Sequence, residues 1–273
     1  MRSLAWKRRI AQYYSPFIKT DLSRKIILIY HAIGYSPWAI SEPTFRQQMA
    51  WLSQHCHIVT LNNLLNPHNE YNKTAVAISF DDGYACIHDI VAPILQDYRA
   101  SATVYLNTGW ISEDSIHKNS DANLGHYPNE AFLTWHEVKT LAKNGWEIGS
   151  HGVDHIDLTA RAENIIQDEL IHSKNMIETI LKNPCKHFAY TWGRYHSLLQ
   201  KKVKEAGYCS AVSGIHGTVT CKSDLCALPR INVALEYEMH DFIAMVKGHW
   251  DYLRYIQLLK RKSNRTQAYE VSN

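Results

Sequence analysis

Two adjacent carboxylates and two histidines four residues apart are the positions of this chain best suited to chemistry. Ser79-Phe-Asp-Asp-Gly-Tyr84 closes an apolar run at 75–80, and Ser150-His-Gly-Val-Asp-His155 closes another at 146–149. Neighbouring carboxylates point in different directions, so one can bind a metal while the other accepts a proton. The plain alternative is a turn, because Asp and Gly favour turns. His151 and His155 have a spacing at which two imidazoles share a metal, although Gly152 and the preceding strand put them in a loop or first turn. In a chain with 16 histidines that spacing alone says little. Asp82 together with both histidines says more: three protein ligands leave positions open for water and substrate.

Three more motifs sit at the ends of apolar runs. Phe188-Ala-Tyr-Thr-Trp-Gly193 ends one, Leu228-Pro-Arg-Ile231 opens one, and Ile29-Tyr-His31 ends the first. Each has an ordinary explanation: a core strand with a Gly turn, an Arg paired to a nearby acid, a structural His. Five such motifs at strand termini form a pattern. In α/β folds the chemistry lies where strands end and loops begin.

The elements that must hold these motifs alternate. Short β-type runs at 25–30, 57–61, 75–80, 102–106, 146–149, 187–190, 209–212 and 231–235 are separated by helical patterns. Helices are expected at 43–55 and over the stripe Ile87, Ile90, Val91, Ile94 and Leu95, whose spacing is that of one helix face. Thr134-Trp-His-Glu137 reads as a capping box that opens the next helix, which Gly145 closes. Residues 160–181 form a long helix with Ile165, Ile166, Leu170, Ile177, Ile180 and Leu181 on one side. Helices at 196–206 and 238–262 follow, and 107–133 is a polar insertion. Strand–helix alternation in one chain without a linker means a parallel sheet or barrel.

Composition agrees with a single folded unit. The 273 residues carry 29 Lys+Arg against 26 Asp+Glu, a net charge of +3 that gives no reason to expect nucleic acid. At this size roughly three-quarters of the surface is buried on folding, so no disulfide staples are needed, and six cysteines without a CxxC pair suit a reducing compartment. The apolar runs are far shorter than a membrane span of ~20 residues, and the basic N-terminus lacks a signal-peptide core. A cytoplasmic location is expected. Trp6, Ile10, Tyr13 and Tyr14 fall on one helical face that should stop before Pro16, with Arg2, Lys7, Arg8 and Arg9 around it. Such an arm can lie on an anionic inner-membrane leaflet, or pack the same face on the barrel.

The order of these motifs resembles the polysaccharide deacetylase family, the NodB-homology or carbohydrate esterase family 4 enzymes, over about residues 26–233. Asp81-Asp82 in SFDDGY is similar to the family's TFDDG, and His151 and His155 to its H-[ST]-x-x-H, with Gly152 in place of the hydroxyl residue. The resemblance implies that Asp81 is the catalytic base and that Asp82, His151 and His155 hold one divalent ion, zinc first, with cobalt, nickel or manganese as alternatives. Tyr190-Thr-Trp-Gly193 resembles the groove motif, which implies a Trp192 backbone N–H at the oxyanion site and Tyr190, Trp192 and Tyr84 as substrate-binding residues. The family's Arg in that motif falls at Ala189, so Arg230 is expected to supply the cation beside Asp81. The late L-x-H acid motif is missing. A literal match, Leu124-Gly-His126, lies in the polar insertion, away from the strand ends, and is set aside. Tyr30-His31 instead resembles the first-strand acid of the poly-N-acetylglucosamine deacetylases, a subgroup that Leu228-Pro-Arg-Ile231 also resembles.

The expectation is therefore a distorted (β/α)7-type NodB barrel in one domain over 25–236, with a basic N-terminal arm (1–24) and a C-terminal basic helix and tail (237–273). The implied activity is hydrolysis of N-acetyl groups on amino-sugar residues of a surface polysaccharide or its lipid-linked precursor. O-acetyl ester hydrolysis would use the same site, and an inactive glycan-binding protein of this fold is the non-enzymatic alternative.

Overall fold

The computed structural model describes residues 2–14, 23–113 and 116–270. In chain order its elements are α1 (Arg2–Tyr14), β1 (Lys25–Tyr30), α2 (Glu42–His55), β2 (His57–Val59), α3 (Leu61–Leu65), β3 (Ala75–Phe80), α4 (Ala92–Asp97), β4 (Thr103–Leu106), α5 (Trp135–Lys143), β5 (Glu147–Ser150), α6 (Glu163–Leu181), β6 (His187–Ala189), α7 (Ser197–Glu205), β7 (Ser210–Val212), β8 (Ile231–Asn232), α8 (Met239–Val246) and α9 (Tyr252–Glu270). β1 and β3 are the two longest strands and are buried almost throughout, as expected of parallel strands covered on both faces. Helix starts follow local chemistry. The Ser41 hydroxyl accepts from the Thr44 N–H at α2, and Thr134 with Glu137 closes the capping box at α5.

The strands run in the order β7-β6-β5-β4-β3-β1-β8, every pairing between them parallel. The two halves of β3 have different partners on one side: Ala75–Ala77 pair with β2, and Ser79–Phe80 with β4. The sheet curls until Leu228, just before β8, bridges Val212 of β7. That makes the expected distorted barrel. Alternation along β1 divides the core: Ile27 faces the interior with Ala75, Ala77, Tyr105, Ala189, Val212 and Leu228, whereas Ile26, Leu28 and Tyr30 face the helices.

Several elements depart from expectation. The turn before α4, Ile87–Val91, is wound as a π-helix instead of continuing one α-helical stripe. Ile165 of α6 is 38 % exposed; Ile166, Leu170 and Ile177 make the buried face. The expected helix over 238–262 is two helices, broken where Gly248 takes φ +91° and Trp250 turns into the core.

Helix α1 docks on the C-terminal helices through its charges. Arg8 makes hydrogen bonds of 2.6 and 2.8 Å to Asp241 and 2.8 Å to Glu238, Lys7 donates to the Tyr237 hydroxyl at 2.8 Å, and the Tyr252 hydroxyl donates to the Lys7 carbonyl at 2.7 Å. This splits the aromatic face: Ile10 packs inward, while Trp6 and Tyr13 are 51 % and 75 % exposed. The stop before Pro16 and the side chains of Arg2 and Tyr14 lie outside the described residues. Among those described, no helix is long and apolar enough to cross a membrane.

Candidate active site

Strand order brings the motifs together. β1, β3, β5 and β6 run parallel, so the loops after them, carrying His31, Asp81-Asp82, His151–His155 and Tyr190–Gly193, open at one end of the barrel. Arg230 reaches that end differently. Ile231 pairs with Leu28, and Ile27 with Ala77, so Arg230 starts level with Ala77, four residues below Asp81. Its side chain rises through the interior over the Tyr105 ring. There it donates from Nη1 to Asp81 Oδ1 at 2.6 Å, from Nη2 to Asp81 Oδ2 at 2.7 Å and from Nε to the Ser213 carbonyl at 3.1 Å. Both side chains are buried. Burial by itself would raise the Asp81 carboxyl; the Arg230 guanidinium overrides it, and the carboxyl comes down to about 2. Asp81 is an ionised carboxylate across the physiological range.

Asp82, His151 and His155 converge. Asp82 Oδ1 lies 3.5 Å from His151 Nε2 and 3.4 Å from His155 Nε2, and one ligand atom from each lies within 4.8 Å of the others. All three residues are buried, and Asp82 Oδ1 has no hydrogen-bond partner among the described residues. His151 Nδ1–H donates to the Ala189 carbonyl at 2.8 Å, which leaves the Nε2 lone pair turned toward Asp82. Burial holds the His151 imidazole below its ordinary pKa, in the neutral form that binds metals. The donor set, its tautomer and its unpartnered oxygen fit a divalent cation. Two of the three residues hold left-handed backbone, Asp82 at φ +71° and His155 at φ +55°. Such residues cost about 1–3 kcal/mol and persist where the surroundings impose them.

What imposes the loop is Glu169 on α6. Its carboxylate is buried, and Oε2 accepts the Val153 N–H at 2.6 Å and the Asp154 N–H at 3.3 Å, between the two histidines. Gly152 sits at φ +88°, and a Cβ there would lie 2.7 Å from Glu169 Oε2. The glycine makes room for the carboxylate. On the other side the Thr108 and Gly109 N–H groups donate to the Gly152 and Val153 carbonyls. Glu169 was not anticipated, since nothing local marks one acid among several on a helix.

Two expected substrate contacts are not at the surface. Tyr190 is buried, stacked on Tyr195 at 5.1 Å, with its hydroxyl donating to the Cys226 carbonyl at 2.8 Å. Tyr84 is buried as well; it stacks on Phe132 and Tyr127, and its hydroxyl accepts the Tyr127 N–H. Both support the walls. Trp192 does reach solvent, at 46 % exposure, with its ring 4.9 Å from that of His155 and its backbone at φ +52°. His31 is half-buried beside Tyr127 and acts electrostatically on both aspartates.

The polar insertion supplies what position in the chain concealed. It folds back over the barrel mouth, so that Tyr127 lies between His31 and Tyr84. His126, set aside for lying away from the strand ends, is buried with its ring 4.9 Å from His155. The match was visible as Leu124-Gly-His126; its proximity to the site was not.

The sequence profile described as polysaccharide deacetylase matches residues 68–211. The chain belongs to the polysaccharide deacetylase family. Among relatives, YxkH of Bacillus subtilis, which carries the provisional name of a polysaccharide deacetylase, is 26 % identical over 226 residues, 81 % of this chain and 75 % of that one. A poly-beta-1,6-N-acetyl-D-glucosamine N-deacetylase of Staphylococcus aureus is 26 % identical over 209 residues, 72 % of this chain and 68 % of that one. The solved deacetylase PplD of Streptococcus pyogenes shares the fold, with a TM-score of 0.70 at 22 % identity over 82 % of this chain and 99 % of that one.

Proposed function

We propose that this protein hydrolyses the N-acetyl group of amino-sugar residues in a glycan, with a divalent cation, zinc first, held by Asp82, His151 and His155. The observation that carries the reading is the buried Arg230–Asp81 pair beside that three-ligand cluster. When bound, the cation supplies Lewis-acid chemistry, acidifying water toward a neutral pKa and polarising an acyl oxygen. Asp81, fixed by two bonds to Arg230, accepts a proton at the mouth of the barrel. His31 stands in a different loop, the one after β1, and delivers a proton to the departing amine. The Trp192 backbone N–H steadies negative charge on the acyl oxygen. The relative's named substrate, poly-beta-1,6-N-acetyl-D-glucosamine, supports an N-acetylhexosamine polymer or its lipid-linked precursor as the substrate class. Exposed Trp192 at the mouth and Tyr35 and Trp38 on the loop after β1 offer flat faces for sugar rings.

The test is release of free amine from N-acetylglucosamine oligomers, in parallel with an O-acetylated glycan. Amine release that chelation stops and metal restores is the expected result. Release of ester-linked acetate alone would overturn the amide reading, and no release from any acetylated glycan would overturn both.

A further inference from the structure

His126 and His151 differ in one hydrogen bond. His151 Nδ1 faces a carbonyl, Ala189, and must donate, so its Nε2 carries the lone pair. His126 Nδ1 faces an N–H, that of Asp121 at 3.3 Å, and must accept. A neutral imidazole that accepts at Nδ1 carries its proton on Nε2, and the same contact excludes the doubly protonated ring, which would set two N–H groups against each other. His126 Nε2 is therefore an N–H donor and unsuited to bind a cation.

That donor is buried and meets no acceptor among the described residues. Leaving such a group unpaired is costly, so its partner is expected to arrive with a ligand. The ring stands 4.9 Å from His155, edge-on to Trp110 at 4.7 Å and to Phe132 at 4.8 Å. The preceding residue lies against Trp192, where a Cβ on Gly125 would be 3.0 Å from the indole. A single N–H donor beside the metal ligands, in aromatic surroundings, suits a small group with one apolar end and one oxygen acceptor. A hydroxylated sugar ring would leave its other polar groups unpaired there.

We propose that His126 binds the acyl oxygen of the acetyl group, in the bound amide and in the acetate released from it, by donation from Nε2–H. This makes the insertion a part of the active site. The inference rests on the deacetylase reading above, but acetate binding reads it without turnover. A protein that binds acetate through His126 yet releases no amine would separate the two.

The experiment compares the full-length protein with His126→Leu and His126→Gln, each loaded with Co²⁺. Cobalt affinity and visible spectrum should stay at wild-type values in both variants, because the three ligands are untouched. Acetate should bind about tenfold more weakly to His126→Leu, the scale of one lost hydrogen bond, with part of the loss recovered in His126→Gln, which keeps an N–H donor. Unchanged acetate affinity in His126→Leu overturns the proposal. So does a 10–100-fold loss of cobalt affinity, which would assign His126 to the metal site. Should the leucine variant not fold, ¹⁵N-histidine spectra of the wild-type protein decide. An Nε2–H tautomer whose resonance moves with acetate is expected, and an Nδ1–H tautomer, or no response to acetate, overturns the proposal.

Discussion

Asp81 is subject to two opposed influences. Removal from water favours its neutral form, and the Arg230 guanidinium, 2.6 Å away, favours its charged form and wins, holding the carboxyl at about 2. Taking away the guanidinium while keeping the volume, as in Arg230→Met, leaves burial without its main counterweight. The carboxyl should then rise, and the acid limb of the kcat/KM profile should move to higher pH with at least a tenfold loss of rate near neutrality. A profile that superimposes on that of the wild-type protein would show that Asp81 is not the group that titrates. Asp81→Asn and His31→Ala remove the proposed proton carriers themselves, and each should cost on the order of 10²–10⁴-fold in turnover. His31→Ala should leave metal affinity near wild type, because His31 lies outside the three-ligand cluster; equilibrium dialysis against zinc checks that half of the expectation.

At the scale of elements, the His151–His155 loop depends on a helix that contributes nothing to the Asp82–His151–His155 cluster. Glu169 of α6 accepts two N–H groups of the Val153–Asp154 turn, which leads directly into the left-handed backbone of His155. Glu169→Ala leaves both N–H groups without their acceptor. Metal affinity should fall 10–100-fold, as it does when supporting groups around a metal site are lost; isothermal titration with zinc measures it. The second dependence is the α1–α8 contact. Burial pushes the Asp241 carboxyl up, but the Arg8 hydrogen bond and the Glu238 N–H outweigh it and hold the carboxyl below its ordinary value. A carboxyl lowered in the folded state adds stability that is complete above the unfolded pKa of about 3.9 and is lost as pH falls through the folded value. Asp241→Asn should therefore lower the melting temperature at pH 7 and narrow its difference from wild type on acidification below about pH 4. A difference that stays constant down to pH 3 would show that the carboxylate charge is not what holds α1.

For the whole molecule, cation binding at the proposed site would be linked to folding, because Asp82, His151 and His155 come from the loops after β3 and β5 and meet only when the barrel has closed around them. A cation that binds the folded chain alone adds about 2.7 kcal/mol at a concentration of 100 Kd, which for a chain of this size is roughly 4–8 °C in melting temperature. Thermal melts with zinc and with chelator should differ by that amount in the wild-type protein and coincide in His151→Ala. Equal melts in the wild-type protein would mean that the cluster does not hold zinc.

The periodicity and end signals of the chain were enough to place β1 and β3 to the residue, to open α5 at its capping box, and to put two aspartates and two histidines at strand ends. These features are local: β-branched runs, caps and turn residues act within a few positions of themselves. The placement of Arg230 beside Asp81 was also legible, through the residue missing at Ala189, although the route of its side chain up the barrel interior was not. Tertiary structure alone decided the rest. Tyr190 and Tyr84 stand next to site motifs in the sequence, yet strand alternation and the folded-back insertion turn them into the walls. Glu169 and His126 are 14 and 29 residues from His155 in the chain. Helix packing brings one against the metal loop, and the fold of the insertion brings the other against His155, and neither distance is written in any local pattern.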